Sequence, residues 1–208
     1  MKKTKKIVEL VMILDESGSM YGLEKDVIGG YNRLIDERKK DECETLVTTI
    51  MFSNQHRIVV DREPIGKVEA LSGKDYRPNG CTALLDTIGD TVEHISRIHR
   101  YLPKELQPKQ TILAITTDGQ ENSSHRYSYQ QIRSLLEEKQ AEGWEVLFMA
   151  ANIDAEESAE SIGIPKARAV NYGNTAEGYQ RMMSGVSKAV SRLMKDENIG
   201  EDWKDEIN

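Results

Sequence analysis

Three small oxygen-bearing side chains follow an apolar run near the start of the chain. Residues 10–14 are Leu-Val-Met-Ile-Leu, and they lead directly into the pattern Asp15-x-Ser17-x-Ser19. Alternate residues of an extended segment point the same way, so the oxygens of these three side chains can converge on one point. One carboxylate and two hydroxyls suit a hard divalent cation, because softer metals prefer sulfur or imidazole. The pattern therefore indicates a site for a cation such as Mg²⁺.

Two later segments supply further oxygen ligands of the same kind. Thr82 lies between Gly80 and a helical pattern, and Asp118 ends a second apolar run over residues 111–117. In an open α/β sheet, ligands bind at the carboxyl ends of the strands, where the strand order reverses. We expect Asp15 and Asp118 to occupy equivalent places on two strands that flank such a point.

These positions, in this order, resemble the metal-ion-dependent adhesion site (MIDAS) of von Willebrand factor type A (vWA) domains. The resemblance extends over about residues 6–194, and the segments 80–86 and 115–122 are most similar to small stand-alone bacterial and phage vWA proteins. It implies a doubly wound, Rossmann-like α/β fold with helices on both faces of a mostly parallel six-stranded sheet. The implied strand order is 3-2-1-4-5-6, with one antiparallel edge strand.

The resemblance also implies how the site is used. Five residues would bind one metal ion, which then bridges to an Asp or Glu of a protein partner: Asp15, Ser17, Ser19, Thr82 and Asp118. Mg²⁺ or Mn²⁺ is the expected ion, ahead of Ca²⁺, with water completing an octahedral shell. One aspartate of such sites often acts through water, and the sequence leaves open which of the two does so.

The composition is that of a globular protein from a reducing compartment. The chain has 208 residues, 30% of them charged, and its net charge of −7 disfavours non-specific binding to nucleic acid or anionic membrane. Cys43 and Cys81 are expected to be reduced thiols, and Cys81 to be a small buried neighbour of the site. The basic start resembles a signal peptide, but Glu9 interrupts the apolar run and no cleavage site follows. We expect a cytoplasmic protein without a membrane span.

Strand and helix patterns alternate along the chain, which predicts a mainly parallel sheet covered on both faces. The predicted strands are residues 8–14, 46–52, 57–60, 111–117, 144–150 and 168–171, the second and third forming a hairpin. The predicted helices are residues 22–40, one that follows Thr82 and ends near Leu102, residues 128–142, a short helix opening at Asp154, and a last one opening at Asn174. Residues 66–80 are expected to form a long surface loop.

We predict a single vWA domain over residues 1–194 and an acidic C-terminal tail over residues 195–208. The tail has six carboxylates against two lysines. It is expected to fray, with docking of Trp203 as the alternative.

Several polar residues near the site have a simpler expected role than ligation. Glu16 is expected to be a solvated carboxylate at the strand end, and His94 and His99 to be exposed on one helix. Glu121 and Asn122 belong to the same face as the metal ligands. Whether these two contact a partner is left open.

The donor set favours binding over turnover. A haloacid-dehalogenase phosphatase needs a second carboxylate two residues after its first aspartate, where this chain has Ser17. A serine hydrolase needs G-x-S-x-G and a nucleotide hydrolase needs a P-loop, and the sequence has neither. We therefore predict a non-enzymatic, metal-dependent protein-interaction module. Two alternatives stay open: a Mg²⁺-dependent hydrolase or transferase, and a subunit that works with a separate AAA+ ATPase.

Overall fold

The structure is a computed structural model that describes residues 6–41, 43–205 and 207. Within these residues six strands form one sheet in the order β3-β2-β1-β4-β5-β6, as predicted. Neighbouring strands are parallel except for the antiparallel pair β2 and β3. The strands are β1 (Ile7–Asp15), β2 (Glu44–Phe52), β3 (His56–Pro64), β4 (Gln110–Thr117), β5 (Glu145–Ala150) and β6 (Ala169–Asn171).

Helices cover both faces of the sheet. They are α1 (Glu24–Arg38), α2 (Leu84–Tyr101), α3 (Tyr129–Ala141), α4 (Ala155–Ser161) and α5 (Ala176–Met194). The apolar side chains of α1 and α5 share one core cluster, and those of α2, α3 and α4 share the other. None of the helices in the described ranges combines the length and the apolar character that a bilayer crossing requires.

The central strand β1 contributes to both clusters. All nine of its residues are buried, with Leu10 and Met12 in the α1/α5 cluster and Val11 and Ile13 in the other. This division follows from the alternation of side chains along a strand. Each fully buried aliphatic side chain contributes about 1.5–3 kcal/mol, so β1 is held firmly and its last residue, Asp15, has a fixed position.

Strand β3 is longer than the sequence pattern predicted. The apolar alternation ends near Val60, yet pairing with β2 continues to Pro64 across an irregular register. Arg62 lies in this part with a positive φ of 47°, and its guanidinium donates to Glu9 of β1 at 2.7 Å. The additional residues of β3 thus make a polar contact with β1, two strands away. Hydrophobic periodicity does not predict such a contact, so the sequence pattern ended the strand too early.

The segment 66–80 is more than a surface loop. Leu71 and Tyr76 are buried in the α1/α5 cluster. The side chain of Asn32 on α1 exchanges two hydrogen bonds with the backbone of Leu71, at 2.9 and 2.8 Å. The predicted surface loop was therefore wrong for these side chains, because the surrounding glycines and charges masked isolated buried positions.

The C-terminal segment packs on the domain over its described residues. Trp203 is fully buried, and its indole N–H donates to the carbonyl of Ala167 at 2.9 Å. Ile199 and Ile207 are buried in the same cluster as α5. The expected fraying was thus wrong and docking of Trp203, the alternative, is found. The prediction of fraying rested on the acidic residues of this segment and did not consider that its apolar residues could pack against α5.

The predicted caps of α3 and α4 are confirmed, whereas α1 begins at Glu24, two residues later than predicted, and the cap of α5 also differs. Ser128 forms the predicted capping box with Gln131, and Asp154 caps α4. Helix α5 is capped by Thr175, whose hydroxyl accepts from the backbone N–H of Gly178 at 3.1 Å, and not by Asn174.

Candidate metal centre

Asp15 ends β1 with both carboxylate oxygens in hydrogen bonds. The backbone N–H of Ser17 donates to Oδ1 at 2.7 Å, and the hydroxyl of Thr117, the last residue of β4, donates to Oδ2 at 2.7 Å. The residue is 1% exposed. The turn that follows β1 and the end of the neighbouring strand β4 therefore fix this carboxylate from two sides.

Ser17, Ser19 and Asp118 form a continuous chain of oxygens. A short 3-10 turn, Gly18–Met20, follows β1 and reverses the backbone, so the two serine hydroxyls lie 3.0 Å apart. Ser19 donates to Asp118 Oδ1 at 2.5 Å. Asp118 follows β4 directly and is 1% exposed, whereas Ser19 is exposed. The site therefore opens to solvent on the side of Ser19.

Thr82 reaches the same place from a different loop. A Cβ placed on Gly119 would lie 3.7 Å from Thr82 Oγ1 and 3.8 Å from Ser19 Oγ, so both hydroxyls flank the same backbone position. The turn before Thr82 depends on Gly80, which has a φ of +73°, and whose carbonyl accepts from the N–H of Gly18 at 3.0 Å. A side chain at Gly80 would also collide with Asn54, so the turn requires glycine. The structure thus brings all five predicted residues together.

The loop 119–127 is fastened to the start of α2 by acidic and amide side chains. Asn122 exchanges two hydrogen bonds with the backbone of Thr82, and Glu121 accepts from the N–H of Leu85 at 2.8 Å. Asp86 accepts from three consecutive backbone N–H groups, those of residues 125–127, at 2.9–3.0 Å. Glu121 and Asn122 therefore hold the loops in place. The sequence left open whether these two residues contact a partner, and the structure shows that their side chains are engaged within the protein.

Two positioning residues beside β1 were missed or misjudged from the sequence. Tyr76 donates its hydroxyl to the carbonyl of Asp15 at 2.5 Å, and no sequence pattern pointed to it. Glu16 was expected to be solvated, but it is buried and forms an ion pair with Arg57 at 2.8 Å. The Glu16 side chain thus binds a residue of strand β3, because the antiparallel hairpin places Arg57 beside the end of β1.

The expected environments of Cys81 and His99 were also wrong. Cys81 is exposed, since the turn that follows Gly80 points its side chain outward while Thr82 points inward. His99 is half-buried and lies 2.6 Å from the carboxylate of Glu9, which is fully buried. The sequence analysis did not predict that Glu9, on the central strand β1, would be the partner of His99 on α2.

The electrostatics of the site fit a bound cation. Burial raises the pKa of Asp15, although hydrogen bonds from Thr117 and Ser17 act in the opposite direction. Burial also raises the pKa of Asp118, against the hydrogen bond from Ser19. Asp118 Oδ2 is buried without a hydrogen-bond partner in the described residues. Such an oxygen is costly to leave unpaired, and a cation is the natural partner for it beside a second carboxylate.

The backbone is similar to solved structures of proximal thread matrix protein 1 from the mussel byssus. One crystal form matches over 91% of this chain with a TM-score of 0.60 and 15% identity. A structure of the same protein with a zinc-occupied MIDAS motif matches over 91% with a TM-score of 0.60 and 17% identity. This chain spans 47% of each of those chains, about half their length. No family model and no curated protein matches the sequence.

At identities this low, the structural similarity is evidence for the fold alone, and the function must be argued from the site. The strand order, the antiparallel edge pair and the two helical layers agree with the expectation drawn from the sequence. Together with the structural similarity, they show that this chain has the fold of a von Willebrand factor type A domain.

Proposed function

We propose that this protein is a metal-dependent protein-interaction module. Five side chains would hold one divalent cation: Asp15, Ser17, Ser19, Thr82 and Asp118. The observation that carries the proposal is the buried, unpaired Oδ2 of Asp118, which lies among neutral hydroxyls and next to a second carboxylate. The zinc-occupied MIDAS motif of the mussel protein supports the proposal by analogy.

The donor atoms favour Mg²⁺ or Mn²⁺. All five proposed ligands are oxygens, which hard cations prefer, and the exposed thiol of Cys81 points away from them. Mg²⁺ keeps several waters when it binds to proteins, so a site with few carboxylates suits it. Zinc occupancy in the mussel protein is a property of that structure.

The charge and the exposure of the site favour an anionic partner group. Two carboxylates only match the charge of a divalent cation, and the three hydroxyl ligands add none, so the site has no excess negative charge that would repel a further carboxylate from the metal. Ser19 and Gly18 are the exposed members of the site, and the open side therefore faces solvent beside them. An Asp or Glu side chain of another protein would approach from this side and complete the coordination.

The first prediction concerns metal binding. Asp15→Ala and Asp118→Ala should each abolish Mn²⁺ binding measured by calorimetry, because each removes half of the negative charge at the site. Thr82→Ala should weaken binding without abolishing it, since it removes a neutral ligand. The fold should survive in all three variants, because these side chains lie at or beyond the carboxyl ends of the strands and belong to neither core cluster. Asp61→Ala, an aspartate on strand β3, is the control.

Unchanged Mn²⁺ affinity in a protein that carries both Asp15→Ala and Asp118→Ala would show that the site is assigned wrongly. Partner capture with Mg²⁺ and with EDTA tests the second half of the proposal. A partner that is held equally in both conditions, after its Asp and Glu residues have been replaced singly, would rule out the metal bridge.

The second prediction is that the isolated protein does not turn over nucleotides or phosphate esters. The two serine hydroxyls of the site are hydrogen-bonded to each other and to Asp118, an arrangement suited to holding a cation. Purified protein incubated with Mg²⁺ and ATP or p-nitrophenyl phosphate should release no phosphate above the level of Asp15→Ala. Phosphate release that is lost in this variant would favour the hydrolase alternative instead.

A further inference from the structure

A cleft adjoins the metal centre on the side of α3 and α4. It has a volume of about 370 Å³ and lies between the first residues of α2, the start of α3 and helix α4. Gly119, Gln120 and Glu121 form the wall nearest the metal centre. Because Gly119 also lies beside the hydroxyls of Thr82 and Ser19, the cleft and the proposed metal site share one backbone segment.

The cleft has an apolar floor. Leu84, Leu85, Phe148 and Ile162 line it, and all four belong to the core cluster beneath α2, α3 and α4. Tyr129 adds an aromatic ring at the edge and is 49% exposed. The four side chains of the floor are themselves only 1–5% exposed, so the cleft reaches narrow apolar patches there, and Tyr129 is its exposed large apolar side chain.

The rim of the cleft is acidic. The exposed carboxylates of Asp154 and Glu157 lie at the start of α4, and among the described residues that line the cleft none is a Lys, Arg or His. Asp154 is occupied in part, since it caps α4 by accepting from the backbone N–H of Glu157. Within the described residues Glu157 forms no ion pair, so its charge is available to a cationic group.

We propose that this cleft selects the partner's sequence. It receives a large apolar side chain from the same extended segment whose carboxylate binds the metal, and a Lys or Arg next to that side chain pairs with Glu157. The inference rests on the proposed function, because it assumes that the partner is anchored at the metal. It goes beyond that function in naming what else the partner segment must carry.

Size, spacing and charge each support this occupant. Ligand pockets measure roughly 300–1,000 Å³, so this one suits one or two large side chains and excludes a folded element. An extended chain advances about 3.3 Å per residue, so a residue two to four positions from the metal-bound carboxylate would reach past Gly119. The acidic rim repels a segment that is acidic throughout, and it attracts one in which the acidic residue is followed or preceded by a base.

The test uses a displayed library of random nine-residue peptides with one fixed central Asp. Selection on the full chain is done with Mg²⁺, and bound peptides are eluted with EDTA. The expected result is enrichment of large apolar residues and of Lys or Arg on the same side of the fixed Asp. Selected peptides are then synthesised and their affinities measured by fluorescence polarisation.

Four variants decide whether the cleft is responsible. Glu157→Lys should weaken binding of the selected peptides by about fivefold or more, and replacing the peptide base with Glu should restore it. Tyr129→Ala should weaken binding through lost apolar contact. The matched controls, Glu105→Lys and Tyr101→Ala, change exposed residues at or near the opposite end of the sheet and should bind like the unaltered protein.

The outcomes separate this inference from the function on which it rests. Peptides that need Mg²⁺ and the fixed Asp, but show no apolar or basic preference and bind Glu157→Lys equally well, would overturn the cleft and leave the metal bridge standing. Failure to select any Mg²⁺-dependent peptide would overturn both for peptide partners. Direct Mn²⁺ binding by the same sample then shows whether the metal site itself exists.

Discussion

At the scale of single residues, the site depends on side chains that would not touch a metal. Thr117 is fully buried at the end of β4 and donates to Asp15 Oδ2, which leaves Oδ1 to accept from the backbone of the 3-10 turn. Groups that hold a metal ligand from behind fix its orientation, and their loss typically costs tenfold or more in metal affinity. Thr117 is thus a positioning residue that neither the apolar pattern of β4 nor the MIDAS resemblance singled out.

The prediction at this scale is that Thr117→Val weakens Mn²⁺ binding by about tenfold, because the Asp15 carboxylate loses its second anchor. The free energy of unfolding without metal should also fall by about 1–2 kcal/mol, since a buried carboxylate oxygen is left unpaired. Calorimetry with Mn²⁺ and urea unfolding measure the two effects.

Thr116→Val is the matched control. Thr116 is the neighbouring residue on β4, it is buried, and its hydroxyl donates to the backbone carbonyl of Ile13 at 3.2 Å. This variant should lose a similar amount of stability and keep its Mn²⁺ affinity. Equal losses of affinity in the two variants would mean that Thr117 acts through general stability alone.

At the scale of elements, the loop 119–127 is ordered by its attachment to α2. The start of a helix has backbone N–H groups without partners inside the helix, and Glu121 satisfies one of them. In return, Asp86 in the first turn of α2 accepts from three N–H groups of the loop. This reciprocal contact holds the segment that follows Asp118 against the segment that follows Thr82.

The prediction here is that Asp86→Ala lowers the free energy of unfolding by about 1–3 kcal/mol near neutral pH and speeds hydrogen exchange at residues 125–127. Burial by itself would raise the pKa of Asp86, but the hydrogen bonds from His125, Tyr127 and Arg126 outweigh it and hold the pKa below its usual range. A lowered folded-state pKa gives stability that is complete above the unfolded pKa and is lost as pH falls through the folded value.

The difference in stability between the unaltered protein and Asp86→Ala should therefore shrink as the pH is lowered below about 4. Urea unfolding at a series of pH values measures it. Asp90→Ala, one turn further along α2, removes the contacts of this carboxylate with the exposed side chain of Arg126 and with His56, and no backbone hydrogen bond of the loop, so it should have a smaller effect. A pH-independent difference for Asp86→Ala would show that its carboxylate is not what holds the loop.

At the scale of the whole molecule, the candidate metal centre lies where the strand order of the sheet reverses. The chain adds β2 and β3 on one side of β1 and β4, β5 and β6 on the other, so β1 and β4 end side by side at the reversal. The α1/α5 layer is completed by the C-terminal segment, with Trp203 buried beneath it. The two helical layers pack against opposite faces of the central strands, and the loops with the candidate metal ligands follow directly from these buried strands.

The fold class, the strand order through the MIDAS resemblance, and a set of five candidate metal ligands could all be predicted from the amino-acid sequence. These features are local: an apolar run that ends in Asp15-x-Ser17-x-Ser19, or a capping box at Ser128, is complete within a few residues. Short-range spacing sets which way such side chains point, so they can be predicted before any long-range contact is known. That the five residues bind a metal stays a prediction.

The contacts between distant segments could not be predicted and became known from the folded structure. Tyr76 reaches Asp15, Asp86 reaches residues 125–127, and Arg62 reaches Glu9, each across more than thirty positions of the chain. Trp203 found a place in the core that its acidic surroundings did not suggest. The cleft beside Gly119 likewise exists because α3 and α4 leave a gap over the sheet. Such features depend on which surfaces remain uncovered once the elements have packed, and periodicity within one element carries no information about that.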